Sequence, residues 1–213
     1  MKITIIYDNT AYRQDIAADW GYSCLLEGRG RNILFDTGAD GEILLQNMRK
    51  LNIDPKGIHE VFISHAHWDH TGGLAAILEI NPAVKIYAPK SFHVPSGPWD
   101  VVYIKEAFEI GDDIFSTGEL SGMEQSLIVR AMKGLCIMVG CSHPGLKNIL
   151  HVSSQYGANW MVVGGLHGFK GFNILKGIEF ICPTHCTRYI EKIKNIYPEK
   201  YLQGGAGRVI EFD

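Results

Sequence analysis

Short runs of apolar residues recur along the whole chain, and turns rich in glycine, proline and asparagine separate them. Many of these runs are apolar throughout instead of alternating with polar residues, which is typical of strands covered on at least one face and often on both. The glycine-rich segment 28–31 predicts a hairpin turn between the second and third runs. The predicted strands cover residues 3–7, 22–27, 32–36, 60–64, 84–88, 100–104, 114–117, 126–131, 135–140, 160–164, 180–183 and 208–212.

Four segments show helical spacing of their apolar residues instead. Residues 41–51 place their apolar side chains on one stripe, and Asp40 is a candidate cap at the start. The other predicted helices cover residues 71–80, 145–156 and 187–196. Prolines and glycines concentrate in residues 90–125, which predicts a loop-rich segment there. The order of elements predicts an α/β layered sandwich with helices outside, and the length favours one domain over residues 1–213.

Composition and charge narrow the class of protein. The 213 residues are 46% hydrophobic and 20% charged, which excludes a collagen, a disordered tail protein and a disulfide-dense mini-scaffold. Twenty basic residues face 23 acidic ones, for a formal net charge of -3. This balance predicts no basic patch, so nucleic acid is not favoured as a partner. A small-molecule substrate is favoured instead. Whether the chain forms a homo-oligomer is left open by the sequence.

Targeting signals and cysteine usage favour a cytoplasmic protein. No apolar run reaches the ~18 residues that a membrane span needs, so no membrane partner is predicted. Asp8 and Asn9 end the first apolar run early, which favours a first strand over a signal peptide. The five cysteines are an odd number in a chain of this size, and they fit reduced thiols in a cytosol better than a disulfide framework.

The segment His-Ala-His-Trp-Asp-His at residues 65–70 concentrates three imidazoles and a carboxylate, ligand types that suit zinc, iron and manganese. An extended strand end projects residues i and i+2 to the same side, so His65 and His67 can reach one metal ion. A turn into the next helix then brings Asp69 and His70 around a second position. The glycines at 72 and 73 permit the close turn that this needs.

This segment resembles the His-x-His-x-Asp-His signature of the metallo-β-lactamase superfamily. Upstream, the segment 32–38, Asn-Ile-Leu-Phe-Asp-Thr-Gly, is similar to the strand of that superfamily that ends in an Asp-x-Gly turn. Five motifs occur in order, and the match runs from about Ser23 to the C-terminus. The resemblance implies a four-layer αββα sandwich of two mixed sheets with helices on the outer faces. It also implies a metal site at one edge of the two sheets.

The later histidines follow apolar runs. His143, in Gly-Cys-Ser-His-Pro-Gly, resembles the third motif of the superfamily, and His185, in Pro-Thr-His-Cys-Thr, resembles its last metal histidine. The resemblance implies that both are metal ligands. His167, in Gly-Gly-Leu-His-Gly, occupies a position where most of the superfamily has an aspartate that bridges two metals. Neutral imidazole has no bridging oxygens and adds no negative charge. His167 is therefore predicted as a metal ligand at one site or as a catalytic proton donor.

Two kinds of side chain adjoin the predicted ligands. We expect Asp36 to accept the N–H of a ligand imidazole and so to fix its tautomer and orientation. Cys141 and Cys186 each lie next to a predicted ligand histidine, and both are interpreted as small buried hydrophobes at strand ends. A zinc knuckle built from Cys182 and Cys186 lacks a second pair of ligands.

These residues predict a metal-dependent hydrolase that uses a metal-activated water on a small substrate, for which a phosphate group is a candidate feature. One or two divalent ions are expected; zinc is favoured, and iron and manganese are alternatives. Asp69 is expected to act both as a ligand and as a proton acceptor. The two predicted ligand sets are His65, His67 and His143, and Asp69, His70 and His185.

Three other functions stay open. Glu124-Gln-Ser-Leu and the motifs around the later histidines resemble the 7,8-dihydropterin-6-methyl-4-(β-D-ribofuranosyl)aminobenzene-5′-phosphate synthase-like branch. That resemblance implies a transferase that joins a dihydropterin pyrophosphate to an arylamine ribose phosphate. The second alternative is a di-iron redox module of the flavodiiron type. The third is a non-catalytic metal-binding or sensing protein.

Overall fold

The apolar runs form two β-sheets. The computed structural model describes residues 1–213. The strands of the first sheet lie in the spatial order β13-β1-β2-β3-β4-β5-β6. These strands are β1 (Lys2–Tyr7), β2 (Ser23–Gly28), β3 (Arg31–Phe35), β4 (Glu60–Phe62), β5 (Lys85–Pro89), β6 (Asp100–Ile104) and β13 (Val209–Glu211). Neighbours are antiparallel from β13 to β3 and parallel from β3 to β6. The carboxyl ends of β3, β4 and β5 therefore share one edge of the sheet.

The second sheet has the spatial order β12-β11-β10-β9-β8-β7. Its strands are β7 (Phe108–Gly111), β8 (Ile114–Ser116), β9 (Leu127–Ala131), β10 (Gly134–Val139), β11 (Asn159–Gly165) and β12 (Phe180–Thr184). The strands β10, β11 and β12 run parallel to one another, while β7 to β10 are antiparallel neighbours. Both sheets are mixed, as expected; the first brings four parallel carboxyl ends to one edge and the second brings three.

Helices cover the outer faces of the two sheets. The α-helices are α1 (Gly41–Lys50), α2 (Trp68–Thr71), α3 (Leu74–Ile80), α4 (Leu146–Ser153) and α5 (Ile190–Ile196), and 3-10 turns cover Pro55–Gly57 and Phe172–Gly177. The α1 helix begins at its predicted cap, because the Asp40 carboxylate accepts the backbone N–H groups of Glu42 and Ile43. None of the helices is long and apolar enough to cross a membrane.

Three buried clusters of apolar side chains separate four layers. One cluster lies between the sheets, one lies between the first sheet and helices α1 and α3, and one lies between the second sheet and helices α4 and α5. The β10 strand shows why these runs do not alternate in polarity. Cys136 and Met138 face the other sheet, while Leu135, Ile137 and Val139 face the helices, so both faces are apolar. The four-layer αββα sandwich is confirmed.

Some element boundaries differ from those predicted. The edge strand β7 lies inside the segment predicted as loop, because its side chains are largely exposed and give no apolar signal. The helix predicted over 71–80 is shorter, since α3 begins at Leu74, and a separate helix α2 precedes it, with Gly72 and Gly73 between the two. The last helix begins at Ile190, three residues later than predicted, and α4 ends at Ser153, three residues earlier.

The two glycines between α2 and α3 allow the backbone after His70 to approach the loop that follows β3. A Cβ atom at Gly72 would lie 2.0 Å from the carbonyl oxygen of Ala39, and one at Gly73 would lie 2.3 Å from that of Thr37. The neighbouring atoms belong to the backbone and have little freedom to move. The close turn that the sequence predicts for this pair is therefore an approach that only glycine permits.

We expect the Gly72→Ala variant to be less stable than the unchanged chain by about 1–3 kcal/mol, because the added methyl group forces two backbone segments apart. Gly177→Ala is the matched control, since no atom lies within 4 Å of a Cβ built there. Denaturant unfolding of both variants measures the difference. Equal free energies of unfolding would contradict the close approach.

Candidate metal centre

Two groups of ligand-type side chains converge where the strands of both sheets end. In the first group, the three residues each offer a ring nitrogen, and these nitrogens all lie within 4.8 Å of one another. They belong to His65 and His67, just after β4, and to His143, after β10. The ring centroid of His65 lies 4.6 Å from that of His67 and 4.7 Å from that of His143. The structure therefore brings together the first set that the sequence predicts.

The second group lies beside the first and also has the predicted members. Asp69 and His70, on α2, meet His185, at the end of β12, and their ligand-type atoms again lie within 4.8 Å of one another. The ring centroid of His70 lies 4.1 Å from that of His65, so the two groups are adjacent. All three members of this second group are buried, whereas His67 in the first is exposed. The first group therefore faces solvent and the second lies deeper.

Asp36 connects the two groups from behind. Its carboxylate accepts the backbone N–H and the hydroxyl of Ser64, each at 2.7 Å, and lies 2.7 Å from Nδ1 of His70. The Ser64 hydroxyl donates to Asp36, so it can accept the Nδ1–H of His65 at 2.9 Å. Both histidines thus have their Nε2 atoms directed away from Asp36. This is the contact expected for Asp36, and it serves one histidine in each group.

Glu124 does the same for His143, and the sequence analysis gave this residue no role. The buried carboxylate accepts the backbone N–H groups of Cys141, Ser142 and His143, and it lies 2.8 Å from Nδ1 of His143. Burial alone would favour the neutral carboxyl, but these donors lower the pKa of Glu124 to about 2. The same hydrogen bond raises the pKa of His143. Glu124 is therefore a fixed anion that holds the loop after β10.

Asn9 and Asp8, directly after β1, hold His185. The side-chain oxygen of Asn9 lies 2.9 Å from Nδ1 of His185, and the Asn9 amide donates to the His185 carbonyl at 3.0 Å. Asp8 accepts the backbone N–H of His185 at 2.7 Å. These contacts assign the Nδ1 proton, so Nε2 of His185 is an acceptor. No local pattern signals this role, because 176 residues separate the two partners.

The nitrogen atoms that remain free fit a cation. Nε2 of His65 is buried and has no hydrogen-bond partner. Nε2 of His70 lies 3.2 Å from Nε2 of His185, and the Nδ1 contacts leave both as acceptors. Burial lowers the pKa of His65 and of His70 to about 3, so both rings are neutral at pH 7. Neutral imidazole nitrogens that face one another without a proton between them are a donor set for a divalent metal ion.

The comparisons with known proteins agree with this geometry. The family model described as the metallo-beta-lactamase superfamily matches residues 21–152, more than half of the chain. The chain belongs to the metallo-beta-lactamase superfamily. Divalent metal binding is a property that this fold implies, and the two groups of side chains described above lie where it would occur.

Relatives within the superfamily include proteins of different function. One is the 7,8-dihydropterin-6-methyl-4-(beta-D-ribofuranosyl)-aminobenzene-5'-phosphate synthase of Methanocaldococcus jannaschii, which is 29% identical, with 98% of this chain and 95% of that protein covered. The crystal structure of Tm1679, a metal-dependent hydrolase of the beta-lactamase superfamily, covers 100% of both chains at 27% identity with a TM-score of 0.81. The short form of human tRNase Z, at 14% identity and a TM-score of 0.66, shares the fold.

His167 lies apart from the other predicted ligands. It follows β11, is exposed, and belongs to neither group of ligand-type atoms. Its ring centroid lies 5.3 Å from that of His143, so it stands at the rim of the first group. Its backbone has a φ of 45°, a left-handed conformation that is uncommon for a residue other than glycine. The ligand assignment stays a prediction, and the rim position favours the alternative role as a proton donor.

Cys141 and Cys186 lie in surroundings that differ from those expected from the sequence. Both were interpreted as small buried hydrophobes, yet Cys141 lies in one group with His65 and His70 and in another with His185 and Cys186. Sγ of Cys141 lies 3.3 Å from Nε2 of His70. The signal that could have found them is their position in the sequence, since each is within two residues of a predicted ligand histidine.

We expect the Asp36→Asn variant to bind metal about 10–100-fold more weakly, because a neutral amide cannot accept from Ser64 and His70 as the carboxylate does. Titration of the metal-free protein with Zn²⁺ against a competing chelator measures the affinity. Asp100→Asn is the matched control, since its side chain is 66% exposed on β6. Unchanged affinity in Asp36→Asn would contradict the orienting role.

Proposed function

We propose that this protein is a metal-dependent hydrolase that acts on a small, phosphate-bearing substrate. The observation that carries the proposal is the pair of adjacent ligand groups, with a buried Nε2 of His65 that has no partner and two Nε2 acceptors 3.2 Å apart. The relation to Tm1679, a metal-dependent hydrolase with the same fold over the whole chain, supports the reaction class.

The proposed ligands are the six residues of the two groups. Zinc is the favoured ion, because imidazole nitrogen and carboxylate oxygen are its common ligands, and iron and manganese are alternatives. Divalent ions held there would supply Lewis acidity and a water that is activated at neutral pH. The ligand residues are His65, His67 and His143 for the first position, and Asp69, His70 and His185 for the second.

Asp69 is the proposed proton acceptor as well as a ligand. Trp20 donates its indole N–H to one Asp69 carboxylate oxygen at 2.9 Å, and Nε2 of His185 lies 3.3 Å from the same atom. Partial burial would raise the pKa of Asp69, but the contact with His185 and the nearby His70 hold it well below its usual range. Asp69 is thus ionised at neutral pH, and its second oxygen is free to accept a proton.

His167 is the proposed proton donor to the leaving group. Its ring is exposed beside His143, and its backbone carbonyl accepts the N–H of Arg188 at 2.9 Å, which fixes the loop after β11. A ring outside the ligand groups can serve in proton transfer, since it is not committed to holding an ion.

Two exposed cations in the loops that carry His167 and His185 favour an anionic substrate. Lys170 follows His167 in the chain, and the backbone N–H of Arg188 donates to the His167 carbonyl. The charged groups of both residues lie over the ring of Tyr189, at 5.9 Å for Lys170 and 5.7 Å for Arg188. A phosphate group would suit this rim, since arginine and lysine are its usual partners in proteins.

A synthase is the second candidate function. The full-length relation to the pterin-related synthase of Methanocaldococcus jannaschii favours it. The alignment extends over 284 positions, more than the 213 residues of this chain, so that relative carries insertions that this chain lacks. Incubation with a dihydropterin pyrophosphate and an arylamine ribose phosphate separates the two: a joined product supports the synthase, and release of phosphate without joining supports the hydrolase.

We expect the His67→Ala variant to lose metal from the first position and to lose activity by about 100-fold or more, because even partners behind a ligand are worth 10–100-fold. The measurements are metal analysis of freshly purified protein and turnover on a panel of phosphodiester, phosphomonoester, thioester, ester and lactam substrates. His151→Ala, exposed on α4, is the control. Full metal content in His67→Ala would contradict the ligand assignment, and metal without turnover on any substrate would contradict hydrolysis.

We expect the His167→Gln variant to keep its metal content and to lose about 100-fold or more in kcat, the range for loss of a general acid. Loss of metal would instead make His167 a ligand, and an unchanged kcat would remove it from the reaction.

A further inference from the structure

Cys141 and Cys186 meet across the central strand of three parallel strands. Cys141 follows β10 and Cys186 follows β12, so β11 lies between them. A Cβ atom at Gly165, the last residue of β11, would lie 2.7 Å from Sγ of Cys186 and 3.3 Å from Cα of Cys141. The strand that separates the two cysteines therefore ends in a residue without a side chain, and this leaves space for the sulfur atoms.

The position of Cys141 relates it to both groups of ligands. Its sulfur lies within 4.8 Å of the nearest ligand nitrogens of His65, in the first group, and of His185, in the second. It lies 3.3 Å from Nε2 of His70. The sulfur of Cys186 lies within the same 4.8 Å limit of Cys141 and His185. Cys141 thus extends the second group towards the first, and Cys186 adjoins Cys141 and His185.

The other three cysteines have a different environment. Cys24, Cys136 and Cys182 all belong to the apolar cluster between the sheets, where they act as small hydrophobes. Cys141 and Cys186 belong to no apolar cluster and instead face imidazole nitrogens. All five are free thiols. The contrast separates two cysteines with ligand surroundings from three with structural surroundings in the same chain.

We propose that Cys141 and Cys186 are thiolate ligands of the metal centre, with Cys141 between the two histidine groups. This inference rests on the proposed metal-dependent function. Each thiol would release its proton to solvent as its sulfur–metal bond forms, and no oxidant or reductant is needed. The thiolates would supply negative charge that His167 cannot supply. Sulfur ligands would also favour zinc or iron over manganese and magnesium.

X-ray absorption at the zinc edge tests the proposal on the unchanged protein, loaded with Zn²⁺ under reducing conditions. We expect a sulfur shell at ~2.3 Å in addition to the nitrogen and oxygen shell at ~2.0 Å. Bound zinc with a shell of nitrogen and oxygen alone would overturn the sulfur ligands and leave the proposed metal-dependent function in place. A chain that binds no zinc would overturn both. This measurement requires no variant, so a folding defect cannot obscure it.

Variants assign the sulfur atoms. We expect Cys141→Ser and Cys186→Ser each to lose part of the sulfur shell, and Cys136→Ser, the matched control between the sheets, to keep all of it. In Co²⁺-substituted protein, the thiolate-to-cobalt charge-transfer band should weaken in the same two variants only. A variant that keeps the complete sulfur shell would overturn the assignment of that cysteine.

Alkylation gives a second readout that does not depend on activity. Iodoacetamide should label Cys186, the less buried of the two, after a chelator removes the metal and leave it unlabelled in the loaded protein, with the site assigned by mass spectrometry. Labelling of Cys186 that does not change with metal content, or a disulfide between Cys141 and Cys186 in loaded protein, would overturn the proposal.

Discussion

The carboxylate of Asp36 is the interaction on which the candidate centre depends. Burial raises its pKa to about 7, so the charged carboxylate at the end of β3 is held at a cost in folding free energy. The backbone and hydroxyl of Ser64 and the ring of His70 donate to it, and Ser64 relays its influence to His65. One buried acid therefore sets the direction of a histidine in each ligand group, which couples the two positions before any ion arrives.

The sandwich places these groups together by a simple geometric rule. Parallel strands in each sheet end at the same edge, and the residues just after β3, β4, β10 and β12 contribute the groups of the centre. The glycine that follows β10 allows loops from the two sheets to approach one another, because a Cβ atom at Gly140 would lie 2.2 Å from Oγ of Ser64. The side chains that hold the histidines come from still other places, including Asn9 after β1 and Glu124 before β9.

Local sequence patterns predicted those parts of the arrangement that depend on residues close together in the chain. Apolar runs predicted most strands, and the spacing from His65 to His70 predicted two adjacent ligand groups. The roles of Glu124 and Asn9 were not predicted, because each residue contacts a histidine that is distant in the chain. An isolated acid or amide carries no sequence signal of such a contact. Cysteine is ambiguous by its chemistry, since a buried thiol is equally suited to an apolar core and to a metal. The position of Cys141 two residues before His143 is the one sequence signal that separates it from Cys136, and the structure supplies the contacts that distinguish the two.

The contact between Asn9 and His185 has a consequence for biosynthesis. The two partners are synthesised 176 residues apart, so the deeper ligand group stays open until His185 has left the ribosome and the sheets have closed. Such non-local closure is slow compared with helix or hairpin formation. Acquisition of an ion at the deeper position is thereby delayed until His185 has joined Asp69 and His70.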